Sequence, residues 1–129
     1  GQMDGKTYIG EWKYYQKDSD KLLILEHFDD KGNLTGERSI YYATGQISQM
    51  DNYKNGKLNG KSTLYSEDNV VIYEYTYADG VLHGLSKIYD LKGLLVTEGN
   101  YNNDQKDGVW KNYENGKLIE EKNFTPIRK

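Results

Sequence analysis

The sequence predicts an all-β protein, an elongated antiparallel meander of about five tandem 24-residue β-hairpin repeats. Three observations predict it. Gly36, Gly60, Gly84 and Gly108 stand 24 residues apart, and a tyrosine follows each by five positions: Tyr41, Tyr65, Tyr89 and Tyr113. Gly10 and Tyr15 add a looser first copy, offset by 26. Residue pairs that favour tight turns fall between short runs rich in β-branched and aromatic residues. No segment keeps its apolar residues at helical spacing.

The copies divide residues 4–124 into 4–28, 29–53, 54–77, 78–101 and 102–124, with a tail at 125–129. The first opens near Asp4-Gly5, and the insertion Lys17–Lys21 loosens its register. In the second, Tyr41 is set across from Ile47, which makes Ala43-Thr44-Gly45 a three-residue tip with Gly45 left-handed. The third pairs Tyr65 with Val71 and puts Asn69, which tolerates that backbone, at the glycine position. The fourth pairs Tyr89 with Leu95 around Leu91-Lys92-Gly93. The fifth is one residue shorter, and a two-residue Asn115-Gly116 tip still lets Tyr113 face Leu118. An aromatic residue closes each copy: Phe28, Tyr53, Tyr77, Tyr101 and Phe124. Asn55-Gly56 and Asp79-Gly80 link successive hairpins, with Asn103-Asp104-Gln105 as a weaker version. Pro126, the single proline, lies beyond the last copy, where it interrupts no ladder. About ten strands spaced roughly 4.8 Å apart would make a sheet on the order of 50 Å long.

Composition narrows the function. Hydrophobic residues make up 36% of the 129, and 13 residues are tyrosines, so half-buried rings take the place of a thick aliphatic core. Seventeen basic and 20 acidic residues leave a net charge of −3, without the basic stripe that nucleic-acid binding requires. The absence of cysteine removes disulfides, thiol catalysis and thiolate metal sites. The longest aliphatic stretch, Leu22–Leu25, is far short of a membrane span. The expected compartment is the cytoplasm, or the periplasm and cell envelope where an export signal has been removed.

Chemistry-bearing residues are sparse. His27 and His83, the two histidines, lack a recurring acidic partner and read as structural or surface residues. Asn103, Gln105, Asp107, Gly108 and Glu114 resemble a calcium loop in spacing, but glutamine replaces a ligand and the flanks read as strands. Asp29-Asp30 and Asp18-Ser19-Asp20 read as solvated turns rather than acid–base pairs. The glycines recur as turn formers and make no phosphate cradle. No catalytic, metal or cofactor site is therefore expected, and the chain is not expected to be an enzyme.

Two aromatic features remain. Trp12 and Trp110 occupy equivalent places in the first and last copies, where Arg38, Ser62 and Ser86 stand in between. Large residues there suit the capping of two open ends, with paired binding anchors as the alternative. Recurrence also makes the tyrosine row, Tyr89 included, the expected core. Strict alternation then puts Tyr14, Ile40, Leu64 and Ile88 on the reverse face with Leu23, Met50, Ile72, Val96 and Ile119. A sheet with two apolar faces must cover one by curling, dimerising or binding a partner. The candidate partner surface is Tyr14, Ile40, Leu64, Ile72, Ile88 and Val96, with Trp12 and Trp110.

The stretch YKNGKLNGKSTLY, from Tyr53 to Tyr65, resembles the MORN-repeat variant, a pattern also found in bacterial antitoxin proteins of the YwqK type. The resemblance extends over about residues 4–124. It implies an elongated β-meander with a binding or immunity role. The leading reading is thus a non-enzymatic scaffold for a protein partner, a toxin being one candidate, with a homodimer also open. The rival reading is a secreted or cell-envelope module that binds glycan or lipid headgroups through its aromatic residues.

Overall fold

The computed structural model describes residues 2–4 and 7–125, with side chains from residue 8 onward. Gly5, Pro126 and the rest of the tail from 126 to 129 lie outside the described residues. Among those described, thirteen strands form one antiparallel sheet and there is no helix. They are β1 (Gln2–Asp4), β2 (Thr7–Tyr15), β3 (Leu22–Phe28), β4 (Gly36–Tyr41), β5 (Ile47–Lys54), β6 (Lys57–Leu58) and β7 (Gly60–Tyr65), then β8 (Val71–Ala78), β9 (Val81–Leu82), β10 (Gly84–Tyr89), β11 (Leu95–Asn102), β12 (Gln105–Glu114) and β13 (Lys117–Asn123). Eleven follow one another across the sheet in chain order, while the two-residue strands β6 and β9 fold back on β5 and β8. The ten long strands make the five expected hairpins.

Tip chemistry sets the register. Tyr42, Ser66 and Asp90 each open a three-residue loop by accepting from Gly45, Asn69 and Gly93, and by donating to Gln46, Val70 and Leu94. Those closing residues have φ of +93°, +65° and +87°, a region open to glycine and tolerated by asparagine. The shorter last tip, Asn115-Gly116, has φ of +50° and +81°, the two positive values a type I′ turn requires. The expected cross-strand pairs Tyr41–Ile47, Tyr65–Val71, Tyr89–Leu95 and Tyr113–Leu118 all form, and in the loose first copy Tyr15 pairs with Leu22. The first hairpin absorbs its insertion in a loop closed by Gln16 and Lys21, with Asp18 left-handed.

The links between hairpins stack on one another. Asn55-Gly56, Asp79-Gly80 and Asn103-Asp104 all have positive φ at both residues. In each, the second residue donates its backbone N–H to a leucine carbonyl of the preceding link: Gly56 to Leu34, Gly80 to Leu58 and Asp104 to Leu82. These bonds satisfy turn amides that the hairpin ladders leave free.

Candidate functional site

Every hairpin carries a β-bulge next to its tyrosine pair. Leu64 faces Tyr73 rather than Ile72, and Ile88 faces Thr97 rather than Val96. The skipped residues are Leu23, Ser48, Ile72, Val96 and Ile119, one per hairpin. Strict alternation across the hairpins therefore gives the wrong neighbours. Ile72 and Val96 are bulge residues without a partner directly opposite, and Met50 lies level with Ser39 and Thr63 on the tyrosine face. The extra residue locally bends the strand and tightens its twist.

With the bulges counted, the two faces differ in kind. One holds Tyr41, Tyr65, Tyr89 and Tyr113 beside a run of directly opposed charges, Glu74–Lys87–Glu98–Lys111–Glu121, across five strands. The Tyr113 hydroxyl donates to the Glu98 carboxylate. Tyr89 is half-buried on this charged face rather than sealed in a core. Burial first, then the nearby Glu74 and Glu98 charges, raises its phenol pKa.

The opposite face carries three rows across the strands. The first includes Tyr14, Ile24, Ile40, Leu64, Tyr73 and Ile88, all half-buried. The third holds the closing aromatics, with Phe28 against Leu34, Tyr53 against Leu58 and Tyr77 against Leu82. Between them runs a buried row that changes character along the array. Glu26 meets Arg38, whose Nε donates at 2.8 Å. Asp51, 3% exposed, accepts from the Ser62 hydroxyl and from the Gln49 amide. Beyond Tyr75 come Ser86 and Gly99, and then the indole of Trp110 lies over Gly99. Ser86 is 1% exposed and its hydroxyl has no hydrogen-bond partner, because Tyr75 stands where Asp51 serves Ser62 and glycine stands on its other side. Hydrogen bonding to Glu26, then burial, raises the Tyr14 phenol pKa; burial followed by the Asp51 charge raises those of Tyr53 and Tyr73.

The MORN repeat variant family model matches residues 34–55 and 106–125, the second and last hairpins of this sheet. Those two hairpins are similar to the MORN repeat variant. No curated protein matches it. Among solved structures, it resembles part of TarM: a mutant of the S. aureus protein in complex with Fondaparinux, alpha-GlcNAc-glycerol and UDP, at 15% identity and TM-score 0.39, and a second TarM crystal structure at 16% and 0.39. The overlaps cover 74% and 73% of this chain and only 21% and 20% of TarM, whose ligands belong to TarM.

The tryptophans at the two ends of the array sit differently. Trp110 is 4% exposed, donates to the Asn100 carbonyl at 2.9 Å, and meets Tyr101 and Phe124 edge-on. Lys106, standing where three other repeats have leucine, sets its ammonium 4.7 Å from the indole centroid. Trp110 therefore packs inside the last repeat. Trp12 is half-buried, stacks on Tyr8 at 4.3 Å and donates to the Ile9 carbonyl. The calcium-like spacing resolves as a tight turn followed by β12, a strand over Gln105–Glu114, and a strand cannot wrap an ion in a loop. His27 stands opposite Glu11, and His83 lies in an exposed link where its N–H donates to Thr76.

Proposed function

We propose that the chain is a non-enzymatic scaffold that binds another protein across the face bearing Tyr14, Ile40, Leu64 and Ile88. One observation carries this reading: half-buried side chains, apolar from Tyr14 to Ile88 except at Gln49, form a row over successive hairpins of a single open sheet, with no second layer of described residues over them. Such a row offers a partner apolar area to bury, on a surface whose shape the sheet already fixes. Trp12, at one end of the same face, belongs to that surface. Trp110 supports it from within, and Ile72 and Val96 shape it through the bulges. The finer reading is an antitoxin or immunity role, in which the scaffold masks a toxin; the net acidity of the chain suits a basic target.

The test uses the chain as bait in extract of its native cells, alongside Leu64→Ser and Ile88→Ser. Each substitution should cost about 1 kcal/mol of stability, typical of a half-buried site, and leave the fold intact by circular dichroism. A polypeptide retained by the parent and lost from both folded variants supports the proposal. Retention that ignores both substitutions, or recovery of glycan or lipid instead of protein, refutes it.

A further inference from the structure

The tetrapeptide Asn-Gly-Lys-Leu occurs twice, at 55–58 and at 115–118. Asn-Gly is the dipeptide most prone to self-modification. The glycine amide nitrogen attacks the asparagine side-chain carbonyl carbon, a N–Cγ bond forms, the Cγ–Nδ2 bond breaks, and ammonia leaves. Water then opens the cyclic imide to aspartate or isoaspartate. No oxidant, enzyme or cofactor is needed. Both copies sit in two-residue turns with positive φ at both positions, and both asparagines are exposed. Local sequence and turn type thus predict equal reactivity.

The structure separates them at the attacking nitrogen. Gly56 N donates to the Leu34 carbonyl at 2.9 Å, the bond that stacks one link on the one before it. Its proton is held, and attack on the Asn55 side chain must first break that bond. Gly116 lies at a hairpin tip with no preceding link beside it. Among the described residues its N–H has no backbone acceptor, and the residue is exposed. We infer that Asn115-Gly116 is a deamidation and isoaspartate site, and that the same tetrapeptide at Asn55-Gly56 is protected by stacking. Conversion at Asn115 adds a carboxylate. In the isoaspartyl product it also adds a methylene to the main chain at the tip that keeps Tyr113 opposite Leu118.

The experiment ages the whole folded chain in mildly alkaline buffer and maps its peptides, with isoaspartyl methyltransferase labelling to distinguish the products. A second sample is aged in concentrated urea. In the folded chain Asn115 should convert about tenfold faster than Asn55, the factor that one retained hydrogen bond supplies. In urea the two should convert at similar rates. Equal rates in the folded chain, faster conversion at Asn55, or a difference that persists in urea would each overturn the inference.

Discussion

Gly99 is the residue on which the last two hairpins depend most narrowly. A Cβ built there would stand 2.1 Å from Trp110 Cδ2, so any side chain must push the indole from its bed. Gly99→Ala should cost about 1–3 kcal/mol by overpacking, read by urea denaturation. Trp110→Ala should cost about 3–5 kcal/mol, and in its background Gly99→Ala should become nearly neutral. Additive losses would show that the two do not touch. The sequence carried a usable sign of this, because a glycine inside a strand pattern marks a close approach. Counting glycines that recur every 24 residues passes over it, since Gly99 does not recur. The tyrosines set a pH limit. Tyr14, Tyr53, Tyr73, Tyr77, Tyr89 and Tyr101 all have phenols raised above the usual value of 10.0, Tyr14 chiefly by its hydrogen bond to Glu26 and the others chiefly by burial. The folded state holds these protons more tightly than the unfolded chain does. The stability they contribute is therefore complete below pH 10 and lost as pH rises through the raised values. Tyrosinate absorbance should rise together with loss of β circular dichroism above that point. Smooth titration with the fold intact would contradict this.

At the scale of the hairpin, tips and links were legible because few residues accept a positive φ. Gly45, Asn69, Gly93 and Asn115-Gly116 follow from residue type alone, and with them the partners of Tyr41, Tyr65, Tyr89 and Tyr113. Gly93→Ala should cost about 1–2 kcal/mol for the left-handed backbone, read as a lowered melting temperature. The bulges were not legible. Their extra residue is leucine, serine, isoleucine, valine or isoleucine, so no residue type announces it. A one-residue slip moves side chains between faces, and for that reason strict alternation misplaces Met50 and gives Ile72, a bulge residue, a partner it lacks. The stacked links were equally silent, since a backbone-to-backbone bond leaves no mark on side-chain identity. Hydrogen exchange should find the amides of Gly56, Gly80 and Asp104 protected and that of Gly116 fast. Uniformly fast exchange at all four would mean that the links do not stack.

Across the molecule, each described long strand pairs with its neighbours in sequence, so the array is nearly one-dimensional. A slab roughly 50 Å long should scatter with a radius of gyration of about 16 Å or more, against about 14 Å for a compact chain of this length. The smaller value in small-angle scattering would indicate a closed or collapsed sheet. The buried row also makes the repeats unequal heirs of a common pattern. Suppose recombination excised one 24-residue period. Loss of 62–85 would bring Ser86 to the place of Ser62, beside Asp51, and its unpartnered hydroxyl would gain a carboxylate. Loss of 86–109 would instead bring Trp110 against Tyr75, with no Gly99 left to receive the indole. The gene can thus shorten at its centre and keep a folded product, but not next to its last repeat. Lineages that lose a copy should have lost a middle one.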